Sequence, residues 1–169
     1  MSDLKAVLVE ALALKALPRA GWIRAGVAQP ESVAAHAWGV SWLVLVLCPD
    51  GVDRGRALAI AVAHDIAEVR CGDITPHDGV STEEKQAKEE AAMESLASGL
   101  PQGSDVVDLW REYEAGESAE ARFVKACDKL DMALQAQRYS AEQGLDLTEF
   151  IDSALSKLGD SDLAALVSA

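Results

Sequence analysis

The sequence predicts an all-α domain, and its composition, its periodicity and its capping signals all support that fold class. Half of the 169 residues are hydrophobic, alanine and leucine dominate, and aromatic residues make up only 5%. Apolar residues recur at helical spacing along most of the chain, between Ser, Pro and Gly residues typical of helix ends. We therefore expect a single domain over residues 1–169, a helical bundle of about six to eight helices that buries roughly two-thirds of its unfolded surface.

The helices of the first half have clear start and stop signals. A first amphipathic helix, capped by Ser2, is stopped by Pro18, and a second runs from the cap residue Ser32 to Pro49. A Pro-Asp-Gly turn then leads into a third helix at about Arg54 to Arg70. This third helix carries the most informative residues of the chain.

The helices of the second half follow the same rules. Ser81 and Glu84 form a capping box that opens a charged helix ending at about Ser98. Further helices are expected at 101–114, at 118–143 after the cap Ser118, and in two terminal segments at 148–157 and 161–168.

Charge and cysteine usage restrict the partners and the compartment. The formal net charge of −13 argues against a nucleic-acid polymer or an anionic membrane as the main partner. No apolar run is long enough to span a bilayer, and the N-terminus does not resemble a signal peptide. The three cysteines are scattered singly, which does not fit a disulfide framework, so we expect a cytoplasmic protein.

A His-Asp pair at the end of an apolar stretch points to a metal site. His64 and Asp65 follow an almost wholly apolar run that begins near Ala57, where ionisable groups are costly to bury without a partner. Imidazole and carboxylate together suit a divalent ion such as Mn, Fe, Co, Ni or Zn. Glu68 shares a helix face with His64, where it is placed to exchange protons with bound water. The alternative for Glu68 is a solvated helix end.

Two residues on other helices are candidates for the remaining metal ligands. His36 lies on the apolar stripe of the second helix, where a lone histidine is more often a core residue, but a metal needs more ligands than the His-Asp pair supplies. Asp128 lies between a valine and a methionine on the inward stripe of the long helix. Its alternative is a salt bridge with Lys125 or Lys129.

Two loops are candidates for substrate contacts. The loop at 18–26 combines turn formers with Arg19, Trp22 and Arg24, and a surface loop anchored by a buried Trp22 is an equally good interpretation. The loop at 72–79 carries two carboxylates and a histidine directly after the predicted metal helix, so we expect it to line a pocket. Lys85, close to this loop, is a weaker candidate for a phosphate contact.

The pattern of His36, His64-Asp65 and Asp128 resembles the H…HD…D signature of the HD-domain metal-dependent phosphohydrolases. The surrounding segments PRAGW, PESVAAH, HDIAEVRCGDITP, EEK and CDKLDM are similar to the small branch that contains the bacterial 5′-deoxynucleotidases and their eukaryotic relatives. The likeness extends over about 14–139.

This resemblance implies an all-α HD domain with the metal site between core helices, usually assembled as a homodimer. It implies hydrolysis of deoxynucleoside 5′-monophosphates with Co, Mn or a similar divalent ion, while Zn, Ni, Fe or Mg are possible. His36, His64, Asp65 and Asp128 would then hold the metal, and Glu68 would be the catalytic acid or base. The dimer surface is not specified, and we expect at least two of Trp38, Trp42 and Trp110 in the core.

The resemblance also implies roles in substrate binding. Trp22 would pack against the base or sugar, and Asp73 would bind the sugar 3′-hydroxyl. Glu68, Asp73 and the carbonyl of Ile74 would hold a second ion if one is present. The chain has Gly21 where bacterial members have a phosphate-holding arginine, so Arg19 or Arg24 must replace it.

Two other functions are open from the sequence. A deoxynucleoside triphosphate triphosphohydrolase keeps the fold and changes the bond that is cut. The scarcity of basic residues near the site favours one phosphate over three. The second alternative is a metal-containing nucleotide-binding or signalling module, but a pure binder needs no acid or base beside the metal.

Overall fold

The computed structural model describes residues 2–168, with the side chains of Ser2 and Asp3 left undescribed, and confirms the all-α class. Within that part of the chain there is no strand, only one isolated bridge between Pro18 and Ser32. The α-helices are, in order, α1 Ser2–Ala11, α2 Ala20–Arg24, α3 Val33–Leu47, α4 Arg54–Ala63, α5 Glu68–Cys71, α6 Thr82–Ala97, α7 Gly103–Ala115, α8 Ala119–Gln143, α9 Thr148–Leu158 and α10 Asp162–Ser168. Two 3-10 turns, Leu12–Lys15 and Pro76–Asp78, join them.

The predicted third helix is divided into α4 and α5, and the reason lies in the His-Asp segment. His64 donates a hydrogen bond of 2.7 Å from Nδ1 to the carbonyl of Ala61, the group that a regular helix would pair with the amide of Asp65. The chain then continues through tighter bonds that span three residues, such as the amide of Glu68 to the carbonyl of Asp65. This break and the short α2, inside a predicted loop, account for helical segments beyond the expected six to eight.

Three predicted caps are observed. The hydroxyls of Ser32, Ser81 and Ser118 each accept a hydrogen bond from the backbone amide three residues later. The Ser81 and Glu84 pair forms the predicted capping box. The predicted cap at Ser2 depends on a side chain outside the described residues.

The long helix α8 is the centre of the packing, because α3, α4, α7, α9 and α10 all contact it. Val40 and Val44 of α3, Ile60 of α4 and Val124 of α8 are fully buried in one cluster. Burying apolar surface in this way fixes α3, α4 and α8 against one another, which places the polar residues of these helices close together. No helix within residues 2–168 has both the length and the apolar character needed to cross a membrane.

The tryptophans are distributed differently from expectation. Trp110 is buried, but Trp38 is 69% exposed and Trp42 is 51% exposed, so the expectation of two core tryptophans is wrong. Both lie on the side of α3 opposite Val40 and Val44, and their rings stack with centroids 6.5 Å apart. Helical periodicity shows that both faces of α3 are apolar, and it cannot show which of them meets the core.

Candidate metal centre and substrate cavity

The four predicted ligands come together where α3, α4 and α8 meet. His36 extends from α3, His64 and Asp65 follow the end of α4, and Asp128 lies on α8. Nε2 of His36 is 3.2 Å from Oδ1 of Asp128 and 3.6 Å from Oδ2 of Asp65. Nε2 of His64 is 3.0 Å from the same Asp65 oxygen.

The polar atoms at this centre fit a divalent metal ion. Four buried side-chain atoms have no hydrogen-bond partner among the described residues, and they are Nε2 of His36, Nε2 of His64, Oδ2 of Asp65 and Oε2 of Glu68. An unpaired buried polar atom costs about 1–3 kcal/mol, so several at one point are not expected without a further ligand. The ligand atoms of His36, His64 and Asp65 all lie within 4.8 Å of one another. Nitrogen and carboxylate donors at this separation suit a first-row divalent ion.

Asp128 combines the two interpretations that the sequence left open. Its Oδ2 accepts hydrogen bonds from the hydroxyl of Tyr113 at 3.1 Å and from Nζ of Lys129 at 2.9 Å. Its Oδ1 faces Nε2 of His36. One oxygen is therefore fixed by protein partners, while the other points into the centre.

Each histidine is oriented by a hydrogen bond from its other ring nitrogen. Nδ1 of His64 donates to the carbonyl of Ala61, and Nδ1 of His36 donates to Oδ2 of Asp131 at 2.7 Å. Because a carbonyl and a carboxylate only accept, both rings carry hydrogen on Nδ1 and direct Nε2 to the centre. Burial lowers the pKa of His36, but Asp128 and Asp131 outweigh it and raise that pKa to about 10. A metal ion competes with this proton, since a ligand imidazole is neutral.

Glu68 is buried beside the centre and does not lie at a solvated helix end. It is only 4% exposed and stands at the first residue of α5. Burial first, and then the carboxylates of Asp65 and Asp73, raise the pKa of Glu68 to about 9. In the metal-free protein, burial and these carboxylates therefore favour the protonated form of Glu68, which is the form that can donate a proton.

Arg19 and Asp73 connect the centre to the two predicted substrate loops. Nη1 of Arg19 lies 3.6 Å from Oδ2 of Asp65 and 3.9 Å from Oδ1 of Asp73. Burial lowers the pKa of Arg19, but Asp65 and Asp73 raise it by more. The net shift of this pKa is upward, so the guanidinium stays charged. Asp73 also accepts a hydrogen bond of 2.8 Å from the amide of Ala20. The loop after α5 is thereby attached to the start of α2.

A cavity of about 540 Å³ opens from the centre, within the usual size range of small-molecule pockets. It brings together the predicted substrate residues Arg19, Trp22, Arg24 and Asp73 with the ligands His64, Asp65 and Asp128 and with Glu68. Ile74, predicted only for a possible second ion, also lines it. His36, buried behind them, does not line it.

The lining also corrects the expectation that basic residues are scarce near the site. Arg19, Arg24, Lys85, Lys125 and Lys129 all line the cavity. They come from three segments far apart in sequence, the 18–26 loop, α6 and α8, so their convergence has no local signal. Most are paired: Arg24 with Glu149, Lys85 with Glu89 at 3.5 Å, and Lys129 with Asp128.

Trp22 anchors its loop and also borders the cavity. It is only 2% exposed, its ring packs edge-on to Tyr139 at 5.4 Å and against Phe150 at 4.5 Å, and its Nε1 donates to Glu31. A Cβ at Gly21 would lie 3.2 Å from the Phe150 ring. Phe150 therefore occupies the space that a side chain at position 21 would need.

Comparison with known proteins places this arrangement in a family. The sequence profile described as HD domain matches residues 11–164, most of the chain. The chain belongs to the HD domain family. This HD domain is 38% identical to the 5′-deoxynucleotidase HDDC2 of Homo sapiens, covering 92% of this chain and 78% of that protein.

Solved structures agree with the family assignment. The PH0347 protein of Pyrococcus horikoshii OT3 superposes with a TM-score of 0.81 at 32% identity, covering 96% of this HD domain and 93% of that chain. A protein described as a predicted metal-dependent phosphohydrolase from Magnetospirillum magnetotacticum MS-1 gives a TM-score of 0.79 at 28% identity, covering 99% and 88%. The resemblance drawn from the motifs is thereby confirmed.

Proposed function

We propose that this HD domain is a metal-dependent phosphomonoester hydrolase that removes the 5′-phosphate from deoxynucleoside 5′-monophosphates. The observation that carries the proposal is the convergence of unpaired buried ligand atoms with the buried carboxyl of Glu68 at the wall of one cavity. The similarity to the 5′-deoxynucleotidase HDDC2 of Homo sapiens supports the substrate class.

In this proposal His36, His64, Asp65 and Asp128 hold the metal. Two imidazoles and two carboxylates suit Co or Mn, and Zn, Ni, Fe or Mg are further possibilities. When bound, such an ion polarises a phosphoryl oxygen and lowers the pKa of water. If a second ion binds, Glu68, Asp73 and the carbonyl of Ile74, which all line the cavity, would hold it, and Glu68 would then be ionised.

Glu68 acts as the general acid in this reaction. Its Oε2 has no protein partner, and its raised pKa keeps a proton available at neutral pH. It donates this proton to the departing 5′-oxygen, so the nucleoside leaves as a neutral alcohol.

Arg19, Asp73 and Trp22 bind the substrate in this proposal. The Arg19 guanidinium stands against Asp65 at the centre, so it contacts the phosphate, whereas Arg24 pairs with Glu149. Asp73 binds the sugar 3′-hydroxyl, and the edge of Trp22 contacts the sugar or base.

Triphosphate hydrolysis is a second candidate, favoured by the five basic residues around the cavity. A triphosphate carries more negative charge than a monophosphate, but it would have to displace the carboxylates that pair with Arg24, Lys85 and Lys129. A pure nucleotide-binding module is less well supported, because it has no use for a buried carboxylic acid beside the metal.

Product analysis separates these functions. The purified protein is stripped of metal, restored with Co or Mn, and offered matched deoxynucleoside and ribonucleoside mono- and triphosphates. Orthophosphate released mainly from deoxynucleoside monophosphates is the expected result. Tripolyphosphate would support the second candidate, and tight nucleotide binding without any hydrolysis would support the binding module.

We further propose that the protein, a single domain over residues 1–169, assembles as a homodimer through the outer face of α3. Trp38, Trp42, Leu45 and Val46 are exposed there, and α3 carries no Asp, Glu, Lys or Arg. In a chain with a net charge of −13, an uncharged face is where two copies repel each other least. An antiparallel pairing of two such helices is self-complementary about a two-fold axis.

Light scattering after size exclusion tests the dimer. The double variant Trp38→Glu, Trp42→Glu is expected to elute as a monomer with unchanged helical circular dichroism. Val9→Glu, at an exposed position on α1, is the control and stays dimeric. A monomeric wild-type chain would contradict the proposal.

The compartment that we propose is the cytoplasm. Cys48, Cys71 and Cys127 are all free thiols, as expected where disulfides do not persist. Cell fractionation with a tagged chain tests the location, and recovery from an oxidising compartment would contradict it.

A further inference from the structure

Asp131 contacts the metal-centre histidine on the neighbouring helix. It lies three residues after Asp128 on α8, and its Oδ2 accepts the 2.7 Å hydrogen bond from Nδ1 of His36. Among the described residues Asp131 forms no other hydrogen bond or ion pair. The other centre histidine, His64, has a neutral backbone carbonyl in the same position. The two rings are therefore oriented by partners of different charge.

Gly39 provides the space that this contact needs. It lies three residues after His36 on α3, so both residues face the same side of the helix. A Cβ at Gly39 would come within 3.0 Å of Cγ of Asp131 and closer still to Oδ1. Any side chain at this position would push the carboxylate away from His36.

The backbone conformation at position 39 does not require glycine. Gly39 lies inside α3 and is not among the residues with positive φ. Inside a helix, glycine is less stable than alanine by roughly 0.5–1 kcal/mol. Its value at this position is therefore the room that it leaves for Asp131.

We propose that Asp131 and Gly39 form a positioning pair that orients His36 for the metal, an inference that rests on the metal centre of the proposed function. Asp131 acts through His36 and is not itself a ligand. By accepting the Nδ1 hydrogen, its carboxylate fixes the tautomer, directs Nε2 to the centre and makes the imidazole a more basic ligand. Gly39 acts one step further out by letting Asp131 approach.

Titration of the metal-free protein with Co²⁺ tests the pair, with visible absorption and calorimetry as readouts that do not depend on turnover. Asp131→Ala is expected to weaken Co²⁺ binding by about 10- to 100-fold, the usual effect of losing such a partner. Asp131→Asn is expected to bind between wild type and Asp131→Ala, because the amide oxygen still accepts the hydrogen bond without the charge. The matched control is Glu142→Gln, a carboxylate on the same helix that pairs with Arg138, away from the metal centre.

Gly39→Ala tests the same positioning pair from α3, the helix that carries His36. It is expected to weaken Co²⁺ binding as Asp131→Ala does, and the double variant is expected to lose no more than either single variant. Additive losses would contradict the pair, as would wild-type affinity in Asp131→Ala. Loss of one ion from a two-ion stoichiometry would also overturn the proposal, because Asp131 would then be a ligand.

The outcomes separate this inference from the proposed function. A wild-type chain that binds Co²⁺ but hydrolyses no nucleotide contradicts the function, and the variant affinities still decide the pair. A wild-type chain that binds no Co²⁺ contradicts the centre and the pair together. Should Asp131→Ala not fold, the Asp131→Asn and Gly39→Ala affinities decide the question.

Discussion

The two ends of the cavity differ in how their charged and polar groups are paired. The metal end holds His36, His64, Asp65, Asp128 and Glu68, and the outer rim holds Arg24 and Lys85. At the metal end, ring nitrogens and carboxylate oxygens are buried without protein partners. At the rim, the cations Arg24 and Lys85 are more than one-third exposed, and each is paired with a carboxylate. The buried polar atoms of the metal end therefore need a bound ligand, such as a metal ion, to be paired. The rim is already balanced, and an incoming phosphate must compete with existing partners.

Removing a ligand from the metal end has the largest expected effect. Asp128→Ala deletes the Oδ1 that faces His36 and also the partner of Tyr113 and Lys129. We expect bound metal and phosphohydrolase activity both to be abolished, because an incomplete ligand set cannot hold the ion. Metal content is measured by mass spectrometry alongside turnover. Stoichiometric metal in this variant would show that the ligand set is wrong.

Changing Glu68 separates catalysis from metal binding at the same end of the cavity. Glu68→Ala is expected to keep metal content and to lower turnover by roughly two to four orders of magnitude, the range for general acid-base catalysis. Glu68→Gln keeps the shape of the protonated acid and serves as the matched variant, with a similar loss. Unchanged turnover in either variant would remove Glu68 from the mechanism.

The two ends also differ in how well the sequence predicts them. Asp128 was placed inward by the apolar periodicity of α8, and His36 was chosen because the His64-Asp65 pair alone supplies too few ligands for a metal. The structure brings these four residues together. Asp131 was missed, because a single hydrogen bond between α3 and α8 leaves no periodic signal.

The rim was predicted less well, because its residues come together only through the tertiary packing of separate helices. Lys85 was a candidate because it lies close to the 72–79 loop, but Lys125 and Lys129 were not expected at the cavity. Only the packing of α8 against the other helices brings these two side chains to the lining that Arg19 shares. The exposed Trp38 and Trp42 were assigned wrongly for a related reason, since apolar residues on both faces of a helix do not reveal which face is covered.

Alanine variants of Arg19 and Arg24 compare the contributions of the metal end and the rim to kcat/KM. Arg19→Ala is expected to lower kcat/KM by about 10- to 100-fold, the value of one hydrogen bond to a charged group. Arg24→Ala is expected to change it by no more than a few-fold, because Arg24 lies at the rim in an exposed pair with Glu149. Steady-state kinetics with a deoxynucleoside monophosphate measure both. A larger loss in Arg24→Ala would move the phosphate contact from the metal end to the rim.

The smallest expected effect is on the pH dependence of stability at the metal end. In the metal-free protein the pKa of Glu68 is raised from its usual 4.5 to about 9, first by burial and then by Asp65 and Asp73. The folded chain thus keeps a proton that the unfolded chain releases. The resulting stability is fully present below 4.5 and is lost as pH rises through about 9.

Glu68→Gln has no proton to lose, so the metal-free variant and wild type are expected to have similar Tm values at about pH 5 and to diverge with rising pH. By about pH 9 the variant is expected to have the higher Tm by several degrees, because a difference of 1 kcal/mol moves the Tm of a domain this size by roughly 2–4 °C. Asp160→Asn, exposed in the turn after α9, controls for the change in net charge. Parallel Tm curves for wild type and Glu68→Gln would mean that Glu68 is ionised in the folded protein, and the metal end would then hold no proton to donate.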